Sequence, residues 1–378
     1  MYSVGPLDFY GLDELKKIKV LVIDDSAVIR KLLSELLSTD SQIEVVGAAM
    51  DPYIAREKIK RLQPDVITLD IEMPKMNGIS FLKNIMRLRP MPVVMISSLT
   101  VEGADIALEA LDIGAVDYIN KPEPGATDNL EDYADEVISK VKSAAKVRVF
   151  PGERPVASPA TTNNTSTNPV VIRRPNHKNG AGNNEKIIAI GASTGGTEAI
   201  KEILVRMKPD SPAVMITQHI PKMFSTAFAR RMNDASPMTV CEAEHGQIIL
   251  RGHVYIAPGD SHLKLLRRGS VYYCELDESA PVNRHMPSVD VLFESVAKHS
   301  GPDAIGILLT GMGKDGARGL RSMLEAGADT IAQDEMSSVI WGMPGEAVKL
   351  NAASNIVPLN RVVDVVDALL MSKNTATS

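Results

Sequence analysis

The sequence alternates short apolar runs with amphipathic segments in two series, and a stretch with neither pattern separates them. This stretch, residues 146–184, is rich in Pro, Asn, Thr, Ser and Gly and lacks helical or strand periodicity, so we expect a flexible linker. Strand and helix patterns that alternate are typical of α/β domains with parallel sheets. A length of 378 residues also exceeds what one hydrophobic core usually serves. The sequence therefore predicts two α/β domains.

The predicted domain boundaries follow from where the patterns begin and end. We expect an N-terminal extension over residues 1–17, a first domain over 18–140, a linker over 141–184 and a second domain over 185–372. Five strand patterns alternate with five helix patterns in the first domain, which predicts a five-stranded parallel sheet. The second domain is predicted to be another doubly wound sheet, and glycines at turn-like intervals predict a β-hairpin insert over 238–277.

Composition and charge exclude several classes of protein. The chain is 44% hydrophobic and 23% charged, as in ordinary globular proteins. It has no secretory signal pattern and no apolar run long enough to insert into a membrane. Neither half has the excess of basic residues that nucleic-acid binding requires, so we expect no nucleic-acid partner. Cys241 and Cys274 fit no metal-binding spacing and predict reduced thiols in a cytoplasmic protein.

Acidic residues follow two strands of the first predicted sheet. Asp24 and Asp25 come after the first strand, and Asp70 ends the third. The carboxyl ends of parallel strands meet at one edge, and a divalent cation relieves the repulsion between carboxylates that converge there. Ser97 and Lys121 follow the fourth and fifth strands and add a hydroxyl and a cation. Each residue alone could be a helix cap or turn residue, but together they predict a site that accepts a phosphoryl group.

These positions resemble the receiver domain of two-component response regulators. The matching segments are IDDS at 23–26, LDIEMP at 69–74, MISS at 95–98 and NKP at 120–122. Over residues 18–140 the resemblance implies a flavodoxin-like fold in which a partner histidine kinase phosphorylates Asp70. It also implies Mg²⁺ held by Asp25, Asp70 and the Glu72 carbonyl, with Asp24 in support. The residues implied to propagate the phosphorylation switch are Ser97, for which Ser98 is an adjacent alternative, Tyr118 and Lys121.

A serine lies on a glycine-rich turn between a strand and a helix at the start of the second domain. The segment GASTGG at 191–196 has the G-x-S-x-G spacing that exposes a nucleophile, here Ser193, beside backbone N–H groups. Gly191 and Gly196 also fit a degraded dinucleotide-binding loop, which requires an acidic residue at the end of the next strand. That strand ends in Thr-Gln-His at 217–219 instead, which favours hydrolysis.

A histidine and an aspartate follow two other strands of the same predicted sheet. His219 can act as the base for Ser193, and Asp315 can orient its imidazole. A P-loop interpretation of the turn before Asp315 fails, because position 308 is Leu where Gly is required and Asp315 replaces Ser or Thr. The other residues predicted to bind the oxyanion or the substrate are Gly195, Gly196, Met312 and His285.

These motifs resemble the catalytic domain of the chemotaxis protein-glutamate methylesterases. The matching segments are GASTGG at 191–196, QHIP at 218–221, MPSVD at 286–290 and LLTGMGKDG at 308–316. Over residues 185–370 the resemblance implies a cytoplasmic enzyme that hydrolyses γ-glutamyl methyl esters on chemoreceptors, releases methanol, and deamidates receptor glutamines. A receiver followed by an esterase is the architecture of that family.

Two further hypotheses concern control and alternatives. We expect the unmodified receiver to cover the active site, with phosphorylation at Asp70 weakening the contact. We also expect a monomer that needs Mg²⁺ for phosphorylation but no cofactor for ester hydrolysis. The alternatives left open are a response regulator with a non-catalytic receptor-binding output domain and one with a nucleotide-binding output domain.

Overall fold

Two parallel sheets and one antiparallel hairpin form the framework of the chain. A computed structural model of the protein describes residues 16–98, 100–122, 130–147 and 186–372. Most of the predicted extension and most of the predicted linker therefore lie outside the described residues. We call the described part up to residue 147 the N-terminal unit and the part from residue 186 the C-terminal unit.

The N-terminal unit is a five-stranded sheet in the order β2-β1-β3-β4-β5, with every neighbouring pair parallel. Its elements are β1 (Ile18–Ile23), α1 (Ala27–Ser38), β2 (Ile43–Ala49), α2 (Pro52–Leu62), β3 (Val66–Asp70), α3 (Gly78–Leu88), β4 (Val93–Ser97), α4 (Val101–Ile113), β5 (Asp117–Asn120) and α5 (Leu130–Ala144). Polar side chains cap several helices: Ser26 accepts from a first-turn N–H of α1, Asp51 from α2 and Asn77 from α3. The predicted α/β order is confirmed.

The C-terminal unit is a seven-stranded sheet in the order β14-β13-β12-β6-β7-β9-β8. Its elements are β6 (Ile187–Ala192), α6 (Gly196–Arg206), β7 (Ala213–Gln218), α7 (Lys222–Ala235), β8 (Thr239–Glu242), β9 (His253–Ile256), β10 (His262–Arg268), β11 (Val271–Asp277), α8 (Val289–His299), β12 (Ala304–Leu308), α9 (Ala317–Glu325), β13 (Asp329–Gln333), α10 (Met343–Lys349), β14 (Asn355–Val357) and α11 (Val362–Ser372). Strand β6 is buried along its whole length, as expected where helices cover both faces.

The segment predicted as a hairpin insert divides between two sheets. Strands β8 and β9 join the large sheet in parallel, and only β10 and β11 form the antiparallel hairpin. The glycines of this region predict where the turns lie. Turn positions alone do not predict whether a strand pairs with its neighbour in sequence or with a distant strand.

Both sheets bring polar residues to the places where strand order reverses. In the N-terminal sheet β1 and β3 are neighbours, and in the C-terminal sheet β6 and β12 are neighbours. Clefts in parallel sheets open at the carboxyl ends of such strand pairs. Among the described residues, no helix combines the length and the apolar character that a membrane crossing requires.

Candidate functional site

The acidic residues of the N-terminal unit converge as predicted. Carboxylate oxygens of Asp24, Asp25 and Asp70 all lie within 4.8 Å of one another. Asp24 and Asp70 are fully buried, whereas Asp25 is exposed. Lys121 Nζ lies 2.8 Å from Asp70 Oδ1 and 3.5 Å from Asp24 Oδ2. This acidic pocket therefore holds three carboxylates against one ammonium group.

The donor set of the acidic pocket fits Mg²⁺. Burial raises the pKa of Asp70 to about 6, with Lys121 opposing the shift and Asp24 adding to it. Burial also raises the pKa of Asp24. Asp70 Oδ2 is buried and accepts no hydrogen bond from the described residues. A hard cation with oxygen ligands would satisfy that oxygen and relieve the repulsion between the carboxylates.

The other predicted residues of this pocket lie around it. Ser97 Oγ is buried and donates to the carbonyls of Ser98 and Gly103 at 3.2 Å, while Ser98 Oγ donates to Glu72 Oε1 at 3.3 Å. Glu72 N donates to Asp70 Oδ1 at 3.2 Å, so the Glu72 backbone adjoins the pocket. Of the two serines, only Ser97 is fully enclosed.

Ser193 occupies the turn between β6 and α6 as the sequence predicts. Its backbone N–H donates to Thr310 O at 3.0 Å, which ties the turn to the loop after β12. Gly195 has a φ of +76°, and a Cβ there would lie 2.7 Å from Val339. The N–H of Gly196 donates to Ser193 O at 2.7 Å, so in this arrangement it is not available to an oxyanion.

His219 and Asp315 form the pair expected of a base and its orienting acid. His219 follows β7, its backbone N–H donates to Ala192 O at 3.1 Å, and its Nε2 lies 2.8 Å from Asp315 Oδ2. The other ring nitrogen, Nδ1, is buried and has no hydrogen-bond partner among the described residues. Nδ1 is therefore the nitrogen left to accept a proton.

Asp315 is held as a carboxylate inside the protein. It is 1% exposed and accepts hydrogen bonds from His219, Asn283 Nδ2 (2.7 Å), Ser288 Oγ (2.8 Å) and the Val289 N–H (2.7 Å). Burial alone would raise its pKa, but these donors and the His219 charge lower it well below its usual range. Asp315 is consequently ionised at neutral pH.

His285 lies against the imidazole of His219. The two rings are stacked, with centroids 3.7 Å apart and planes 13° from parallel. Burial and the adjacent His219 lower the pKa of His285 to about 3, so it is neutral. Because His285 stays neutral, only His219 of the two stacked rings can carry a positive charge. The stacking also fixes the ring plane of His219.

Asn283 and Ser288 are among the residues of this site for which the sequence predicts no role. Asn283 Nδ2 donates to both Asp315 Oδ1 (2.7 Å) and Asp290 Oδ2 (2.8 Å), and Ser288 Oγ donates to Asp315. Ser288 belongs to the MPSVD segment at 286–290, whose sequence predicts no role for it. Nothing in the sequence around Asn283 indicates its role, because only the fold brings the loop before α8 against the loop after β12.

The N-terminal unit forms one wall of this site. Thr194, next to Ser193, donates from Oγ1 to Asp117 Oδ2 at 2.5 Å. The Tyr118 ring stacks on Phe224 of α7 with centroids 4.4 Å apart. Met312 Sδ accepts from Ser139 Oγ and Ser143 Oγ of α5, at 3.1 and 2.7 Å. A cavity of about 830 Å³ that contains Ser193 and His219 is thus enclosed partly by β5 and α5.

Ion pairs and a second cavity complete the contact between the units. Asp112 of α4 pairs with Lys201 at 2.9 Å and also with Arg231. Asp105 accepts two hydrogen bonds from Arg230, at 2.5 and 2.7 Å. The second cavity, of about 780 Å³, lies between α5 and the loop that carries Trp341, whose Nε1 donates to Gln333 O at 3.1 Å.

Comparisons with known proteins divide the chain in the same way. A family model described as response regulator receiver domain matches residues 20–133, and one described as CheB methylesterase matches residues 188–366. A protein-glutamate methylesterase/protein-glutamine glutaminase 1 of Xanthomonas euvesicatoria is 56% identical over 352 residues, which cover 93% of this chain and 97% of the relative. A protein-glutamate methylesterase/protein-glutamine glutaminase of Hydrogenovibrio crunogenus is 51% identical over 376 residues, covering 94% and 100%.

Solved structures match each half separately. The CheB methylesterase catalytic domain of Thermotoga maritima is 34% identical, with a TM-score of 0.48, and the match covers 49% of this chain and 98% of that one. The response regulator domain of Thermotoga maritima CheB is 47% identical, with a TM-score of 0.33, covering 35% and 99%.

Proposed function

Since the chain belongs to the CheB-type family of protein-glutamate methylesterases/protein-glutamine glutaminases with a receiver domain, we propose that Ser193, His219 and Asp315 are its hydrolytic triad. The observation that carries this assignment is the His219–Asp315 hydrogen bond of 2.8 Å beside the Ser193 turn. The triad residues follow β6, β7 and β12, which are neighbours in one sheet. The substrates are methyl-esterified glutamates, and glutamines, of chemoreceptors.

In the proposed mechanism, His219 Nδ1 takes the proton of Ser193 Oγ as the oxygen attacks the ester carbonyl. The oxyanion is bound by backbone N–H groups of the glycine turns, with Met312 and Gly195 as the candidates. Methanol, or ammonia from a glutamine, leaves with the proton from His219. Water then hydrolyses the glutamyl-enzyme through the same base, while Asp315 keeps the imidazole oriented.

Replacement of the nucleophile tests the triad. We expect Ser193→Ala, in the full chain, to reduce methanol release from methylated receptors to background, because the Ser193 hydroxyl forms the acyl-enzyme in the proposed mechanism. Ser225→Ala, which removes a buried serine of α7, is the control for loss of a hydroxyl. If the C-terminal unit were a non-catalytic receptor-binding domain or a nucleotide-binding domain, the wild-type protein would release no methanol either. Methanol release by the wild type therefore excludes both alternatives.

The proposed receiver chemistry rests on the acidic pocket. Asp70 accepts a phosphoryl group from the histidine kinase of the chemotaxis system, and Asp25, Asp70 and the Glu72 carbonyl, with Asp24 in support, would hold Mg²⁺. The bound metal would supply positive charge toward the transferred phosphoryl group. Lys121 pairs with Asp70 and can bind a phosphoryl oxygen there. Ser97 and Tyr118 then transmit the change, and the stacking of Tyr118 on Phe224 supports a route toward the C-terminal unit.

The proposed regulation is relief of a covered active site. In the described arrangement α5 and β5 form one side of the cavity that contains Ser193, so the N-terminal unit covers part of the site that a receptor must reach. Phosphorylation weakens the contact and admits the substrate. The enzyme acts as a monomer in the cytoplasm, with domain boundaries near 18–140 and 185–372. Removal of residues 1–147 should raise turnover; equal turnover with and without them would contradict the proposal.

A further inference from the structure

The two walls of the cavity that contains Ser193 differ in charge. The described residues that the N-terminal unit contributes include four carboxylates, Asp117, Asp132, Asp135 and Glu136, against one ammonium group, that of Lys140. The described lining from the C-terminal unit consists of neutral or histidine side chains and a single arginine, Arg284. The wall that remains when the N-terminal unit leaves therefore carries one permanent charge, and it is positive.

Arg284 lines the cavity that contains Ser193, and 82% of its side chain is exposed. It directly precedes His285, whose ring is stacked on the catalytic imidazole. It follows Asn283, which donates to Asp315. Both Asn283 and Arg284 have left-handed backbone conformations, with φ of +54° and +68°. The loop thus places the guanidinium at the rim of the cavity through two residues with left-handed backbone. Such a backbone conformation costs free energy and persists only where the surrounding structure imposes it.

The partner of Arg284 in this structure is a carboxylate of the other wall. Its Nη1 lies 2.8 Å from Asp135 Oδ2 on α5, with 82% and 63% of the two side chains exposed. An ion pair so open to water contributes little to stability. It is poorly suited to holding the units together, and a different carboxylate can replace Asp135 at little cost.

We infer that Arg284 determines specificity by binding a carboxylate of the substrate segment close to the glutamyl ester. This inference rests on the proposed function of the site. The preferred substrate is then an acidic helical segment, in which a free glutamate or aspartate lies one turn from the esterified residue. A guanidinium suits this task because its charge does not depend on pH and it can donate two parallel hydrogen bonds to a carboxylate.

The same geometry gives α5 a second function in the covered state. Its first turns present Asp132, Asp135 and Glu136 to the cavity, and Asp135 occupies the guanidinium. Helix α5 thus offers Arg284 what an acidic substrate helix would offer. The N-terminal unit then competes with substrate for this residue in addition to blocking its path.

The test uses the full chain activated with acetyl phosphate and a receptor fragment that carries one methyl ester. One version of the fragment keeps the acidic residues one turn from the ester, and the other has alanine there. With the acidic fragment, Arg284→Gln should raise KM about tenfold and leave kcat within about twofold. The lost charge-assisted hydrogen bond stabilises the bound substrate and the transition state equally, so its loss weakens binding without slowing the chemical step. Arg284→Lys should recover part of that loss. With the alanine fragment, wild type and Arg284→Gln should have the same KM.

A matched control separates recognition from the contact between the units. Arg230→Gln removes another arginine that pairs with the N-terminal unit, through Asp105, but does not line the cavity. It should leave KM unchanged for both fragments. An equal rise of KM with both fragments in Arg284→Gln, or no rise with either, would overturn the inference.

Binding without turnover distinguishes this inference from the proposed triad. In the Ser193→Ala background the dissociation constant of the acidic fragment should rise about tenfold on adding Arg284→Gln, whatever the nucleophile is. Unchanged binding there contradicts the role of Arg284. Methanol release by Ser193→Ala alone contradicts the triad and leaves the Arg284 comparison interpretable.

Discussion

At the scale of single residues, the site is built around one buried charge. Asp315 is 1% exposed, yet its pKa is lowered because side chains and backbone N–H groups surround its oxygens with donors. A buried carboxylate without such donors would take up a proton instead. The donors from residues 283–290 therefore do more than orient Asp315: they keep it ionised so that it can stabilise a positive charge on His219.

The low pKa of His285 predicts a pH dependence of stability. The pKa of about 3 in the folded chain lies below the value of about 6.5 expected in the unfolded chain. Between these values the unfolded chain binds more protons at this residue, so the free energy of unfolding falls as the pH falls through that window. From pH 7 to pH 5 the loss from His285 should be on the order of 2 kcal/mol.

Chemical denaturation at the two pH values measures this contribution. His285→Gln cannot titrate, so its free energy of unfolding should fall less from pH 7 to pH 5 than that of wild type. His245→Gln serves as the control for removal of an exposed histidine. If His285→Gln and wild type lose equal stability, the ring is not buried as a neutral group.

The sequence predicts the reactive groups of the site, whereas the groups that hold them in place are seen only in the fold. The predicted nucleophile, base and acid each follow a strand, and strand ends can be read from apolar patterns. Asn283 and Thr194 could not be found in this way. Asn283 acts across 32 positions and Thr194 across 77, so their roles exist only after the loops and the two units have met.

At the scale of elements, the turn between β6 and α6 depends on glycine for two separate reasons. Gly195 has a left-handed φ of +76°, and a Cβ there would lie 2.7 Å from Val339. Gly246 has nearly the same φ, +77°, but a Cβ there would meet nothing within 4 Å. Comparison of Gly195 with Gly246 therefore distinguishes the energetic cost of the left-handed backbone from the cost of steric overlap.

We therefore expect different costs for the same substitution. Gly246→Ala should lower the free energy of unfolding by roughly 1–2 kcal/mol, the cost of a left-handed alanine. Gly195→Ala should cost roughly 2–4 kcal/mol, because overpacking against Val339 is added, and should also reduce methanol release by displacing Ser193. Denaturant unfolding and turnover measure both effects. Equal costs would mean that the loop carrying Val339 moves freely.

The pairing of β8 and β9 shows what element patterns leave undetermined. Glycine spacing predicts the turns and a hairpin for the region over 238–277, but β9 pairs with β7 and β8 rather than with β10, the next strand along the chain. Partner choice depends on which sheet edge remains open after the other strands have assembled, and that is a property of the whole domain.

At the scale of the whole molecule, an acidic helix faces a basic surface. Asp112 of α4 pairs with Lys201 and Arg231, and Asp105 of the same helix pairs with Arg230. The same two units also meet through the stacked rings of Tyr118 and Phe224. The contact therefore combines ion pairs with apolar packing, since buried residues of α4 and α7 belong to one hydrophobic cluster.

Loss of Asp112 should favour the separated state. Asp112→Ala removes two ion pairs that are each worth roughly 0.2–1 kcal/mol, so we expect turnover without phosphorylation to rise about two- to thirtyfold. Turnover after acetyl phosphate should stay within about twofold of wild type. Glu35→Ala, which breaks the pair with Lys31 inside the N-terminal unit, should change neither. Unaltered basal turnover in Asp112→Ala would argue against the electrostatic contribution.

The position of Trp341 has a practical consequence. It is the single tryptophan of the chain and lines the cavity between α5 and the C-terminal unit. Withdrawal of α5 would bring water to the indole and move its fluorescence emission to longer wavelength. The protein thus carries an intrinsic optical probe of its own opening, so the rate at which the units part can be followed in unlabelled protein by stopped-flow mixing with a phosphoryl donor.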